Sequence, residues 1–153
     1  MSTEKLPPLE ECTCLAIRQA ARHVSQFYDR HLASAGLRTT QFSILARLKR
    51  HGVMTINALA DDMVMDRTTL GRNILPLERD GLIRIEPAAH DRRAKELHLT
   101  AAGAKRHEAA LKGWSEAQGR FEETFGPQQA AQLRTMLRAV VATDFAAPDG
   151  SQP

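Results

Sequence analysis

Residues 88–103 read Ala-Ala-His-Asp-Arg-Arg-Ala-Lys-Glu-Leu-His-Leu-Thr-Ala-Ala-Gly. Three signals follow one another in this stretch. Asp91, Arg92 and Arg93 make a charged loop, and Lys95-Glu96-Leu97-His98-Leu99 alternates with the period of a strand. Thr100 then offers a hydroxyl to cap a helix. Upstream, Leu82-Ile83-Arg84-Ile85 alternates in the same way, so the two runs predict a hairpin with a basic tip. A two-stranded hairpin is marginal alone and must pack on neighbouring helices.

Those helices precede it. Thr55 is placed to cap a helix with Ile56, Leu59, Ala60 and Met63 facing inward. Met63-Val64-Met65 makes a tight turn, with Val64 at a position where many such turns carry glycine. Asp66 caps the next helix, from Arg67 to about Asp80, whose inner stripe is Leu70, Ile74 and Leu77; Gly81 ends it. Pro76 lacks a backbone donor and predicts a bend or an irregular last turn.

Helix, turn, helix and basic hairpin together describe a winged helix-turn-helix. In DNA-reading versions the start of the second helix enters the major groove. Here it carries Arg67, Thr68, Thr69, Arg72 and Asn73. Arginine pairs with guanine, asparagine with adenine, and threonine offers a hydroxyl and a methyl. Arg92, Arg93 and Lys95 on the wing suit a minor groove, where narrow A/T tracts concentrate negative potential. Asp91 fits better as the group that orients a neighbouring arginine, because phosphates repel a carboxylate. The plainer reading of the helix residues is a solvated polar face; the basic wing beside them favours double-stranded DNA as the partner.

Outside this segment lie further helical patterns. From Glu10 to about Ala35, Leu15, Ala20, Ala21, Val24, Phe27, Tyr28, His31 and Leu32 recur at helical spacing, and Gly36 follows the end. Thr39 or Thr40 can cap a second helix carrying Phe42, Leu45 and Leu48, ending at Gly52. Thr100 opens a long helix striped with Ala104, His107, Leu111, Trp114, Phe121 and Phe125, in which Gly113 and Gly119 cost about 1 kcal/mol each relative to alanine. Gly126-Pro127 breaks the chain, and a last helix carries Leu133, Met136, Leu137, Val140 and Val141.

The expected fold is mainly α with a small β-hairpin wing: a winged helix-turn-helix plus long N- and C-terminal dimerisation helices. Residues 37–100 form the DNA-binding region, and 10–35 with 101–142 the helical dimerisation region. The ends, 1–9 and 146–153, are expected to be disordered. The outer stripes exceed what one small winged domain can cover, which predicts a symmetric homodimer. A monomer whose terminal helices fold back on their own domain is the alternative.

At 153 residues the chain suffices for one core. Its apolar runs are too short to span a membrane, and no signal-peptide pattern opens it, so a cytoplasmic location is expected, with Cys12 and Cys14 as reduced thiols. The net charge of +3 is too mild to argue for nucleic acid by itself, so its clustering carries the argument. No nucleophile with its base and no phosphate-cradling glycine run is present, so neither enzyme activity nor a cofactor is expected. Cys12-x-Cys14 with scattered histidines lacks the paired spacing of a zinc site, so no metal is expected.

Asp91-Arg92-Arg93, followed by Leu97, Leu99, Thr100 and Gly103, resembles the wing of the MarR (multiple antibiotic resistance regulator) family. The resemblance extends over roughly residues 10–142 in the family's order of elements. It implies a dimeric repressor, less often an activator, on an inverted-repeat operator. It also implies release by a phenolic or other small ligand, or by oxidation, with an effector site between the dimer helices and the winged domain. In the family's organic-hydroperoxide sensors a reactive cysteine near the start of the first helix is engaged by tyrosines. Cys14 and Tyr28 stand in similar places, whereas two further tyrosine positions hold Arg18 and Thr39. A helix N-terminus favours a thiolate at Cys14, and Glu10 and Glu11 oppose it; an ordinary pair of thiols is the alternative. Arg18 and Arg22, one turn apart, can face an anionic ligand or simply water. A winged-helix module used only for protein interaction is the rival class.

Overall fold

The computed structural model describes residues 6–146, so the expected disordered ends fall largely outside it. The chain divides into two compact units, residues up to Ala117 and residues from Gln118.

The first unit opens with a 3-10 turn, Leu9–Glu11, and helix α1, Thr13–Leu32. A second 3-10 turn, Ala33–Ala35, ends at Gly36, whose φ of 68° is the left-handed value glycine adopts freely. Helix α2, Thr39–His51, strand β1, Met54–Thr55, helices α3, Ile56–Asp62, and α4, Arg67–Arg79, strands β2, Ile83–Pro87, and β3, Lys95–Leu99, follow in order. Helix α5, Ala101–Phe125, begins in this unit. The core is made by Leu32, Ile44, Leu45, Leu48, Leu59, Leu70, Leu77, Ile83 and Leu97, all fully buried. Each such side chain stabilises the fold by about 1.5–3 kcal/mol relative to exposure. The inner stripes read for α2, α3 and α4 are thus the ones the core uses.

The sheet has three strands rather than the expected two, in the order β1-β3-β2, all antiparallel. Leu97 sits at its centre, paired with Met54 on one side and Ile85 on the other. Two residues are too few to show alternation, so β1 leaves no periodic trace in the sequence.

Other expectations shift in detail. Thr39 is the first residue of α2 and its hydroxyl does not cap it. Instead Asp29 of α1 accepts from the Thr39 N–H at 2.7 Å, and Gln41 Oε1 accepts from the Arg38 N–H at 3.0 Å. Helix α4 continues through Pro76 to Arg79. Within α1 only Leu32 is buried, and within α5 the buried residues are Gly103, Ala110 and Ala117, not the large apolar side chains. Gly113 is a point of close approach rather than a defect: a Cβ there would drive into the His31 carbonyl oxygen, as one on Gly103 would into that of Leu82.

The second unit holds the end of α5 and helix α6, Pro127–Ala142, with Gly126 at φ 104° between them and Pro127 as the first helical residue. Glu122 accepts from Gln118 Nε2 at 2.9 Å and pairs with Arg134 at 3.1 Å, while Phe121 and Phe125 stack at 5.4 Å. No helix among the described residues is long and apolar enough to cross a membrane.

Candidate nucleic-acid interface

Local chemistry fixes both helices of the motif. Thr55 Oγ1 accepts from the Ala58 N–H at 3.1 Å and starts α3. The helix ends with Met65 N–H bonded to the Ala60 carbonyl at 2.9 Å and Val64 N–H to that of Asp61 at 3.2 Å. This is a Schellman ending, whose left-handed position normally takes glycine; Val64 holds it at φ 52°. Asp66 then caps α4 twice over, accepting from the Thr69 N–H at 2.8 Å and the Thr69 hydroxyl at 2.7 Å. Those two bonds, the hydroxyl first, hold the Asp66 carboxyl below its ordinary range.

The candidate site residues on α4 therefore differ in readiness. The Thr69 hydroxyl is engaged in the cap, and Asn73 Nδ2 donates to the Thr69 carbonyl at 2.8 Å. Arg67, Thr68 and Arg72 are exposed, with no side-chain hydrogen bond or ion pair among the described residues. Leu70, Ile74 and Leu77 press α4 into the core, which leaves Thr68 and Arg72 on the opposite, outward face.

On the wing, Asp91 Oδ1 accepts from the Arg93 N–H at 2.9 Å, so Asp91 orients Arg93 through its backbone. Ala94 N–H to the Asp91 carbonyl, and Ala88 N–H to the Ala94 carbonyl, close the loop at 3.0 and 2.9 Å. Arg92 and Arg93 are exposed, and their side chains form no ion pair among the described residues. Glu86 and Glu96, opposite each other across β2 and β3, lie beside His98 Nε2 at 3.5 Å, and Glu86 also pairs with Arg84 at 3.6 Å. These two acids are thus held along the strands, away from the loop arginines.

Helix α4 and the wing meet in one cleft. Arg67 lines it from α4, Asp91, Arg93 and Lys95 from the wing, and Thr55 and Asn57 from the start of α3. Arg72 and Asn73 line a different cleft with α1 and α2. Neither that second cleft nor the place of Arg38 in it has a signature in the sequence; only the chain's folding brings Arg38 near α4.

A third cleft lies between α2 and α5. The Phe42 ring stacks with His107 at 5.2 Å and with Trp114 at 6.0 Å, and Arg47 and Arg50 share the lining. Burial first, then the Lys49 charge, pushes His107 below the usual imidazole range against a smaller opposing pull from Glu108. Arg47 also pairs with Asp62 of α3 at 2.8 Å.

Cys12, not Cys14, occupies the N-cap of α1, its Sγ accepting from the Leu15 N–H at 3.4 Å. Cys14 is exposed in the first turn. Cys14, Arg18 and Tyr28 share a face of α1, but Tyr28 stands fourteen residues beyond Cys14, about 21 Å along a continuous helix. One chain cannot bring them together. No His, Cys, Asp and Glu cluster suited to a metal occurs among the described residues.

This geometry defines a winged helix-turn-helix protein with exposed basic side chains on α4 and the wing. The model of the MarR family matches residues 37–95. Mycobacterium tuberculosis transcriptional regulator MosR is 34% identical over 89% of this chain and 100% of its own, with a TM-score of 0.74. Its structure in complex with DNA gives 36%, 86%, 98% and 0.75 in the same terms. Bordetella bronchiseptica BpsR, whose DNA binding is regulated by 6-hydroxynicotinic acid, shares the fold with a TM-score of 0.79 at 18% identity, over 91% of this chain and 99% of its own. Among curated proteins none matches the sequence. The chain belongs to the MarR family of transcriptional regulators.

Proposed function

We propose that this regulator is a homodimeric repressor that reads an inverted-repeat operator with α4 and the wing. The observation that carries the proposal is the meeting of Arg67, Arg93 and Lys95 in one cleft, beside an outward face bearing exposed Arg72 and Thr68. Residues 37–100 serve as the DNA-binding region; 10–35 and 101–142 serve dimerisation. Exposed Ile17, Leu111, Trp114, Met136, Leu137, Val140 and Val141 give those outer helices apolar surface for a second copy.

Release follows from a change in spacing or tilt between the two recognition helices, whose half-sites lie about 34 Å apart. The cleft between α2 and α5 is the place for an effector. Its stacked rings suit a flat aromatic acid, Arg47 and Arg50 suit the carboxylate, and the Arg47–Asp62 pair leads from the cleft to α3. Thiol oxidation is the second route. Because Cys14 and Tyr28 are far apart within α1, their engagement requires a tyrosine from the partner subunit.

Fluorescence anisotropy of the reduced protein on DNA upstream of its own gene tests the reading, repeated with an aromatic acid and with stoichiometric cumene hydroperoxide. Tight, salt-sensitive binding is expected, abolished by one of the two treatments. In the same assay Arg72→Ala relaxes specificity at one position per half-site, by about 1–3 kcal/mol if Arg72 pairs bidentately. Binding that is weak and sequence-blind on every duplex, and indifferent to Arg72 and Arg93, supports a protein-interaction module instead.

A further inference from the structure

The cleft of about 370 Å³ that holds Arg72 lies on the side of α4 away from the wing. Around the helix, Arg67 falls on one side of the buried Leu70–Ile74–Leu77 stripe, and Asn73 and Pro76 fall on the other. The outward face of α4 is therefore flanked by two clefts, one from Arg67 and the wing, the other from α1 and the start of α2.

The second cleft has the chemistry of an oxyanion seat. Arg38 and Arg72 enter it from different elements, both exposed and neither in an ion pair among the described residues. The first turn of the thirteen-residue α2 adds the positive end of a helix. Thr39 Oγ1, in the wall, is buried without a hydrogen-bond partner. The one carboxylate in the lining, Asp29, occupies the Thr39 N–H at 2.7 Å and keeps its charge, against which stand the two arginines and the rest of the α2 first turn. The balance favours an anion.

A helix lying in a major groove about 12 Å wide has a phosphate backbone on each flank. A hold on the wing side alone would leave α4 free to pivot about that strand. We propose that Arg38 and the N-terminus of α2 receive a backbone phosphate of the strand on the other flank, completing a two-sided clamp on the groove. Arg38 is then a positioning residue, which sets the register of α4 and reads no base. The inference rests on the DNA-reading function proposed above.

The test measures operator and unrelated duplexes by anisotropy over about 50–200 mM salt, for the wild type, Arg38→Gln and Arg38→Lys. Arg38→Gln is expected to weaken both duplexes by the same factor and to lower the log–log salt slope by about 0.9 for each phosphate that Arg38 neutralises. Arg38→Lys is expected to restore the slope. A thermal melt verifies that each variant is folded. An unchanged slope with unchanged affinity overturns the proposal, as does a loss confined to the operator, which would make Arg38 a base reader. Arg93→Gln separates the two layers of inference. If it too leaves binding unaltered, the DNA-reading function fails; if it weakens binding while Arg38→Gln does not, only the second seat fails.

Discussion

Val64 holds the left-handed position of the Schellman ending between α3 and α4, at φ 52° with a branched Cβ. The left-handed backbone costs an L-residue about 1–2 kcal/mol, and the side chain, 70% exposed, returns little by packing. Val64→Gly is therefore expected to raise the unfolding free energy by about 1 kcal/mol, measured by urea denaturation; a loss of stability would mean that Val64 packs in the folded protein. The valine standing in a glycine position is visible in the sequence, because the turn's sequence pattern implies its backbone. The states of Thr69 and Asn73 are not. Both look like readers, yet one donates to the cap and the other to a helix carbonyl, and residue type alone does not tell a free side chain from a bonded one.

At the scale of elements, α2 and α5 meet through Phe42 and His107. Burial and Lys49 keep His107 neutral in the folded chain below the pH at which an unfolded imidazole takes up its proton. Between that lowered pKa and the ordinary value of about 6.5 the unfolded state binds more protons, so stability rises with pH. The contribution is complete above about pH 6.5 and is lost as pH falls through the folded value. Melting temperatures at pH about 7.5 and about 5.5 are expected to differ less in His107→Phe than in the wild type; an equal difference would place the titration elsewhere. Helices α2, α3 and α4, which carry the core, are legible through their 3.6-residue stripes, and α3 and α4 also through their Thr55 and Asp66 caps. Strand β1 is too short to show a period, and one of the two side chains that cap α2 is Asp29, ten residues away, where local pattern has no reach.

At the scale of the whole molecule, the parts of the proposed reading face can be named from sequence, while their grouping cannot. Arg67, Arg93 and Lys95 share one cleft and Arg72 belongs to another; the helix period separates the α4 residues, and tertiary folding brings the wing and Arg38 to them. Apolar side chains on α1, α5 and α6 remain exposed in the single chain, the state that pairing with a second copy would relieve. The proposed dimer would present two copies of α4 about one DNA turn apart. The most direct test is selection of bound sites from a pool of random duplex DNA. The dimeric reader should enrich an inverted repeat with half-sites centred about 10 base pairs apart, and Arg72→Ala should blur one position in each half. Recovery of no common sequence, or of a single half-site without its inverted mate, would contradict a dimer that reads DNA with both recognition helices.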